Sequence, residues 1–376
     1  MAKAKQQLRE PAEIQYKDQI SALIQNDKKE AKPDNWILSP KAVLNYILGG
    51  QTLEAKIRRK TVKIEITCKF FGDRSLVEKA IVTLASERAL LLVGEPGTGK
   101  SWLSEHLTAA ITGNSTLTIQ GTAGTTEEHT KYSWNIARVI AEGPTEENLI
   151  PSPTMQAMQK GTLLRFEEIT RCVPDVQDSL VSILSDKAIA IPELPDNNMV
   201  WAKPGFNIIA TANSRDQGVN DLSAALKRRF NYIYIPIVAN KQTEINIVKE
   251  RTTELMQRYK IPAKLPDPVI NLLATVFREI RNGKTQEGVS IKQASTTLST
   301  AEAIGVALES ALTSQYFGNG AVTSADIATN LVGSVVKEDR NDIKVLKEYN
   351  SLVVKKRATK DEQWKLFHEA MNKALK

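Results

Sequence analysis

Residues 89–102 read ALLLVGEPGTGKSW. Leu90, Leu91, Leu92 and Val93 form an unbroken apolar run, the pattern of a strand buried on both faces. The run passes straight into Gly94, Glu95, Pro96, Gly97, Thr98, Gly99, Lys100 and Ser101, the G-x-x-x-x-G-K-[ST] spacing of a phosphate-binding loop. Glycines let the backbone wrap an anion so that several N–H groups face the same oxygens. The helix that follows, opening with Ser101 and Trp102, adds the positive end of its dipole. Lys100 adds a point charge for the β- and γ-phosphates, and Ser101 has the hydroxyl that such loops turn toward Mg²⁺. These residues point to a nucleoside triphosphate.

The rest of the composition narrows the class. With 376 residues, 41% of them hydrophobic and 25% charged, the chain has the make-up of an ordinary globular protein of about two or three domains. Cys68 and Cys172 are its only cysteines, which excludes a disulfide framework and suggests a reducing compartment. His106, His129 and His368 stand singly, without zinc-ligand spacing. The first residues, MAKAKQQLREPAEIQ, lack the apolar core of a signal peptide, and no run approaches a membrane span; a cytoplasmic protein is expected. The net charge of +7 is spread along the chain, so Arg58-Arg59-Lys60 and Lys355-Lys356-Arg357 read as solvated faces rather than a nucleic-acid patch.

Patterning predicts an α/β protein in three parts. Residues 1–65 read as a helical extension: Ile14, Ile20, Leu23 and Ile24 recur at helical spacing, and Ser39-Pro40 opens a second helix that Gly49-Gly50 ends. A β-rich stretch, 61–71, leads into residues 66–240, which alternate strands (89–93, 115–120, 162–166, 206–212, 232–237) with helices, as a parallel sheet requires. One of these helices is expected over 125–141, with Trp134, Ala137 and Ile140 on one face, and another over 221–230. Residues 188–192 and 198–201 read as a hairpin, and 241–376 as helical.

A phosphate loop alone leaves kinase, GTPase, transporter ATPase and motor open. The stretch LLRFEEITR, 163–171, places Glu167 and Glu168 at a strand's end. One acid there can hold Mg²⁺ and the second can take a proton from an attacking water, which favours hydrolysis. FNIIATAN, 206–213, ends a buried strand on Asn213, an amide able to position water. AALKRRF, 224–230, sets Arg228 and Arg229 at a helix end; they either satisfy the helix dipole or serve as an arginine finger on a neighbour.

In the order GEPGTGKS, FEEITR, IIATANSRDQGVNDLSAALKRRF and a helical tail, the chain resembles AAA+ ATPases of the MoxR type, closely over 71–237. The resemblance implies a five-stranded parallel core with a helical lid. It makes Lys100 and Ser101 the Walker A pair, Glu167 and Glu168 the Walker B acids, Asn213 sensor 1 and Arg229 the arginine finger. Phe71-Gly72 matches the segment beside the adenine. Two departures stand out: the Mg²⁺ acid is Glu167 where Asp is usual, with Arg165 interrupting the apolar strand, and the lid stretch IKQASTTLSTAEAI has no arginine, Lys292 being the nearest cation and Ala301 standing at the arginine's place.

What the resemblance implies is a ring, most simply a hexamer, that hydrolyses ATP with Mg²⁺ to remodel or mature a protein partner, often one with a von Willebrand factor A domain. The alternatives are a nucleic-acid motor on the same core, which the charge favours, and a nucleotide-gated scaffold with little turnover, which the two departures favour.

Overall fold

The computed structural model describes residues 7–57, 60–195, 198–214, 220–295, 298–337 and 339–376; Arg58, Arg59 and residues 215–219 of the stretch between Asn213 and the arginines lie outside them. The chain divides into two compact units, Met1–Glu95 with Gly99–Ile235, and Pro96–Thr98 with Pro236–Lys376.

The first unit is built on five parallel strands: β1 (Ala89–Gly94), β2 (Thr118–Gln120), β3 (Leu163–Glu167), β4 (Asn207–Asn213) and β5 (Phe230–Ile235). Their order is β5-β1-β4-β3-β2. The two central apolar strands explain the order. Every residue of β1 is buried, as is all of β4 up to Asn213, which only a strand with neighbours on both sides and helices on both faces permits. The edges are weaker: β2 has three residues, and β5 alternates, with Tyr234 exposed and Ile233 and Ile235 buried. β4 therefore lies between the loop strand and the acid strand, and Asn213 pairs in register with Gly94.

The N-terminal part is packed into this unit. Its helices Lys17–Asn26 and Pro40–Leu48 contribute Ile20, Leu23, Tyr46 and Ile47 to one core with Leu103, Leu107 and Ile111 of the phosphate-loop helix, Lys100–Thr112. Ser39 caps its helix as its sequence position suggests, and buried Asp27 accepts the Ser39 N–H at 2.6 Å. Besides its helices this part carries an antiparallel hairpin, Gln51–Ile57 with Lys60–Ile66, whose first strand periodicity did not reveal.

Two expected helices are corrected. Residues 125–141 form the short helix Glu127–Thr130, the strand Tyr132–Trp134 paired with Leu149–Pro151, and the helix Ile136–Glu142. Asn135 breaks the run: its side chain accepts the Arg138 N–H at 3.3 Å and starts a new helix, none of whose residues is buried. The helical spacing of Trp134, Ala137 and Ile140 thus spans two different elements. Near the arginines, among the described residues, only Ala224–Lys227 is helical, capped by Ser223, and the chain enters β5 at Phe230. The expected hairpin is present as Ala188–Ala190 with Met199–Trp201.

The second unit is helical: Lys241–Arg258, Asp267–Asn282, Thr300–Phe317, Ser324–Val335, Asn341–Tyr349 and Glu362–Ala374 surround Leu273, Phe277, Val306, Leu331, Leu346 and Phe367. Two buried acids tie it together. Glu244 accepts from Arg278 at 2.9 Å, Arg281 at 2.8 Å and Thr300 at 3.0 Å. Glu279 accepts from Arg357 and from the Tyr349 hydroxyl, both at 2.6 Å. Arg357 is therefore no part of a solvated face: it turns inward, its hydrogen bonds draw the Glu287 carboxyl down to about 2, and it lies 4.6 Å over the Trp364 ring. Phe277 is fully buried, so Phe277→Ala should destabilise this unit by about 3–5 kcal/mol, read as a lower urea midpoint of the helical signal. Among the described residues no helix is long and apolar enough to cross a membrane.

Candidate active site

The carboxyl ends of β1, β4 and β3 lie side by side and carry Gly94, Asn213 and Glu167 respectively. Beyond β1 the loop turns through Gly97 and Gly99 at φ of 73° and 87°, a left-handed backbone that favours glycine. Gly99 is the residue before the helix, which opens on Lys100 and Ser101. The Lys100 ammonium donates to the carbonyls of Gly94 at 3.0 Å and Glu95 at 2.8 Å, holding the charge inside the loop's mouth.

Ser101 Oγ donates to Glu167 Oε2 at 2.7 Å. Glu167 is buried and takes three more donors: Thr211 Oγ1 on Oε2 at 2.7 Å, and Ser104 Oγ at 2.6 Å and Arg165 Nη2 at 2.7 Å on Oε1. Burial pushes the carboxyl up, but the charge of Arg165 and the hydroxyls of Ser104, Ser101 and Thr211 outweigh it and hold the group below its ordinary value. Glu167 stays an anion. An anion beside a hydroxyl suits Mg²⁺, which takes few protein ligands and keeps several waters; with both oxygens occupied by donors, Glu167 fits contact through water. Among the described residues no group of three acidic, histidine or cysteine side chains offers a separate metal site.

Glu168 is held differently. Its backbone is left-handed (φ 54°, ψ 46°), rare for a residue with a side chain, and its N–H donates to Thr211 Oγ1 at 3.0 Å. The turn carries its side chain out of the sheet's path, where it is half-exposed and paired with Arg171. Gly121, at the end of β2, donates its N–H to Glu167 O at 2.7 Å; a Cβ there would fall 2.4 Å from Glu168 O, so only glycine admits this approach.

Residues 89–230 match the family described as AAA domain (dynein-related subfamily), and residues 242–374 match the YehL-like AAA+ ATPase C-terminal domain. Over 368 residues the chain is 41% identical to the YehL protein of Escherichia coli (strain K12), covering 97% of each. The chain belongs to the YehL-like AAA+ ATPases. It is also similar to an uncharacterized protein of Staphylococcus aureus (strain USA300), at 25% identity over 48% of this chain and 67% of that one. Among solved structures it resembles NtrX from Brucella abortus in complex with ADP, at 12% identity and a TM-score of 0.48, over 81% of this chain and 64% of that one.

The remaining predicted positions of this YehL-like ATPase fall in two places. Trp102 donates its indole N–H to Lys69 O at 2.8 Å, which fixes the backbone just before Phe70, Phe71 and Gly72. Lys69 itself is buried, its ammonium 4.4 Å from the Tyr16 ring centre and 4.8 Å from that of Tyr46. Arg228 and Arg229 are elsewhere. The Arg229 carbonyl accepts from Ala89 N–H at 3.1 Å, at the start of β1, whereas the phosphate loop begins at its end. Five residues of strand separate them, about 17 Å, more than an arginine side chain spans. Arg229 donates to Ser185 Oγ and Ala225 O, both at 2.6 Å, and Arg228 is exposed. The fold thus gathers Lys100, Ser101, Glu167, Glu168 and Asn213 at one end of the sheet and leaves both arginines at the other.

Sequence reasoning missed Thr211, Ser104 and Gly121. Two of them had a signal: Thr211 is a polar residue inside an apolar strand, and Ser104 lies one helical turn after Ser101.

Proposed function

We propose that this chain hydrolyses ATP with Mg²⁺ in the cytoplasm, as one subunit of a ring, most simply a hexamer. The main support is the hydrogen-bonded cluster that joins Ser101 to Glu167 and, through Thr211, to Glu168. In this reading Lys100 leaves its two carbonyls for the β- and γ-phosphates, and the loop's N–H groups, from Glu95 to Trp102, cradle them. Bound Mg²⁺ would neutralise phosphate charge, with Ser101 as ligand and Glu167 behind it. Glu168 takes the proton of the attacking water, and Asn213 orients that water.

Phe71 and Gly72 line the base. Arg229, with Arg228 beside it, acts on the nucleotide of the next subunit, because its place at the far end of the sheet keeps it from its own. As the MoxR type implies, the ring would remodel or mature a protein partner in the manner of a chaperone, one with a von Willebrand factor A domain being the expected companion. Stimulation of turnover by DNA or RNA, lost steeply with salt, would instead favour a nucleic-acid motor.

A mixing experiment tests the shared site. At limiting ATP, Lys100→Ala and Arg229→Ala should each lose turnover alone, the first through weakened ATP binding and the second with binding intact. Mixed, they should regain turnover, since some interfaces then combine a competent loop with an intact arginine. Full activity of Arg229→Ala by itself, or of the wild type as a dilute monomer, would sink the shared site.

A further inference from the structure

The two departures of the acid strand, Glu167 and Arg165, meet in space. Residues two apart on a strand share a face, so both side chains point at the phosphate-loop helix while Leu164 and Phe166 point away into the opposite core. The Arg165 side chain is 11% exposed and that of Glu167 6%. Its guanidinium donates to Glu167 Oε1 at 2.7 Å, Ser104 Oγ at 3.2 Å, Ser115 O at 3.2 Å and Ser101 O at 3.3 Å. Ser104 passes its own hydrogen to the same Oε1. The planar fork thus binds the first turn of the loop helix, the approach to β2 and the carboxylate at once, which an ammonium does not match. A glutamate has one more rotatable bond than an aspartate and needs anchoring to present one fixed oxygen.

We propose that Arg165 is a positioning residue of the nucleotide site: it anchors Oε1 of Glu167 so that Oε2 stays on Ser101, where the metal of a Mg²⁺–nucleotide is met. Arg165 touches neither nucleotide nor metal; it acts through Glu167. The inference rests on the ATP reading above and adds a residue to it.

An open cleft of about 470 Å³, lined in part by Arg9, Glu105, Ser115, Thr118 and Arg165, leads solvent to the guanidinium. It makes the test a chemical rescue. Equilibrium binding of a fluorescent ATP analogue is measured with Mg²⁺ and with EDTA, in wild type and Arg165→Ala. The variant should bind as wild type does in EDTA and lose about 10- to 100-fold of the tightening that Mg²⁺ brings. Millimolar guanidinium should restore that tightening in Arg165→Ala, and methylammonium should not. Should far-UV circular dichroism show Arg165→Ala unfolded, Arg165→Gln takes its place with the same expectation before rescue. Unchanged Mg²⁺ tightening in a folded variant, or a loss that guanidinium leaves in place, overturns the proposal. A wild type that binds ATP no better than Lys100→Ala overturns the ATP reading itself, and the role of Arg165 with it.

Discussion

Glu168→Gln is expected to bind ATP as tightly as wild type and to hydrolyse it about 10²- to 10⁴-fold more slowly, the range that a positioned general base supplies. The substitution leaves the turn intact. The left-handed backbone at Glu168 is fixed by the N–H bond to Thr211 Oγ1, which glutamine keeps, and by the close approach of Gly121. What disappears is the ability to accept a proton. The ion pair with Arg171 also disappears, but it is half-exposed and contributes little to stability. Glu167, by contrast, is engaged by four donors and cannot stand in as a base, because each of its oxygens is already occupied. Phosphate release under saturating ATP gives the rate, and equilibrium titration gives the affinity. Retention of more than about a tenth of wild-type turnover would remove Glu168 from the base's role.

Lys100→Ala should weaken ATP binding by about 10- to 150-fold, the value of one hydrogen bond to a charged group at about 1.5–3 kcal/mol. The lysine is buried at the start of its helix and its ammonium rests on the carbonyls of Gly94 and Glu95, so a phosphate can replace those two acceptors without dragging the side chain through apolar surroundings. Alanine keeps the helix, since its propensity is the highest of any residue. Calorimetric titration with ATP measures the loss, and a melting curve that matches wild type in the absence of nucleotide shows that the loop's ligand, not the fold, was affected. Affinity within twofold of wild type would refute the assignment of the loop.

How far the sequence spoke depended on how local each feature is. The phosphate loop, the acid pair and Asn213 are runs of contiguous residues at strand ends, and alternation of strands and helices brought those ends together in one parallel sheet. The lattice behind them was not legible. Ser104, Arg165 and Glu167 form one cluster although Ser104 lies 63 residues from Glu167, and nothing in the order of residues announces that pairing. Arg165 read alone is an interruption of an apolar strand; with Glu167 and the loop helix beside it, it is a counter-ion.

Other misreadings have equally physical roots. Trp134, Ala137 and Ile140 share helical spacing by coincidence of a strand and a helix joined at Asn135, whose capping side chain is a stronger local signal than the spacing. Arg357 sits in a basic run that solvent would ordinarily hold, yet the buried carboxylate of Glu279 draws it inward. The separation of the arginines from the loop follows from strand register, because Arg229 precedes β5 where it pairs with the start of β1.

The most direct test of an ATP-hydrolysing site is phosphate release by the purified wild-type chain in Mg²⁺ and ATP, beside Glu168→Gln and beside wild type in EDTA. Turnover in the wild type should exceed both by about 10²-fold or more, and should rise with protein concentration as neighbours supply Arg229. Equal, near-zero rates in the wild type and Glu168→Gln would contradict the account and leave a scaffold that binds nucleotide without consuming it.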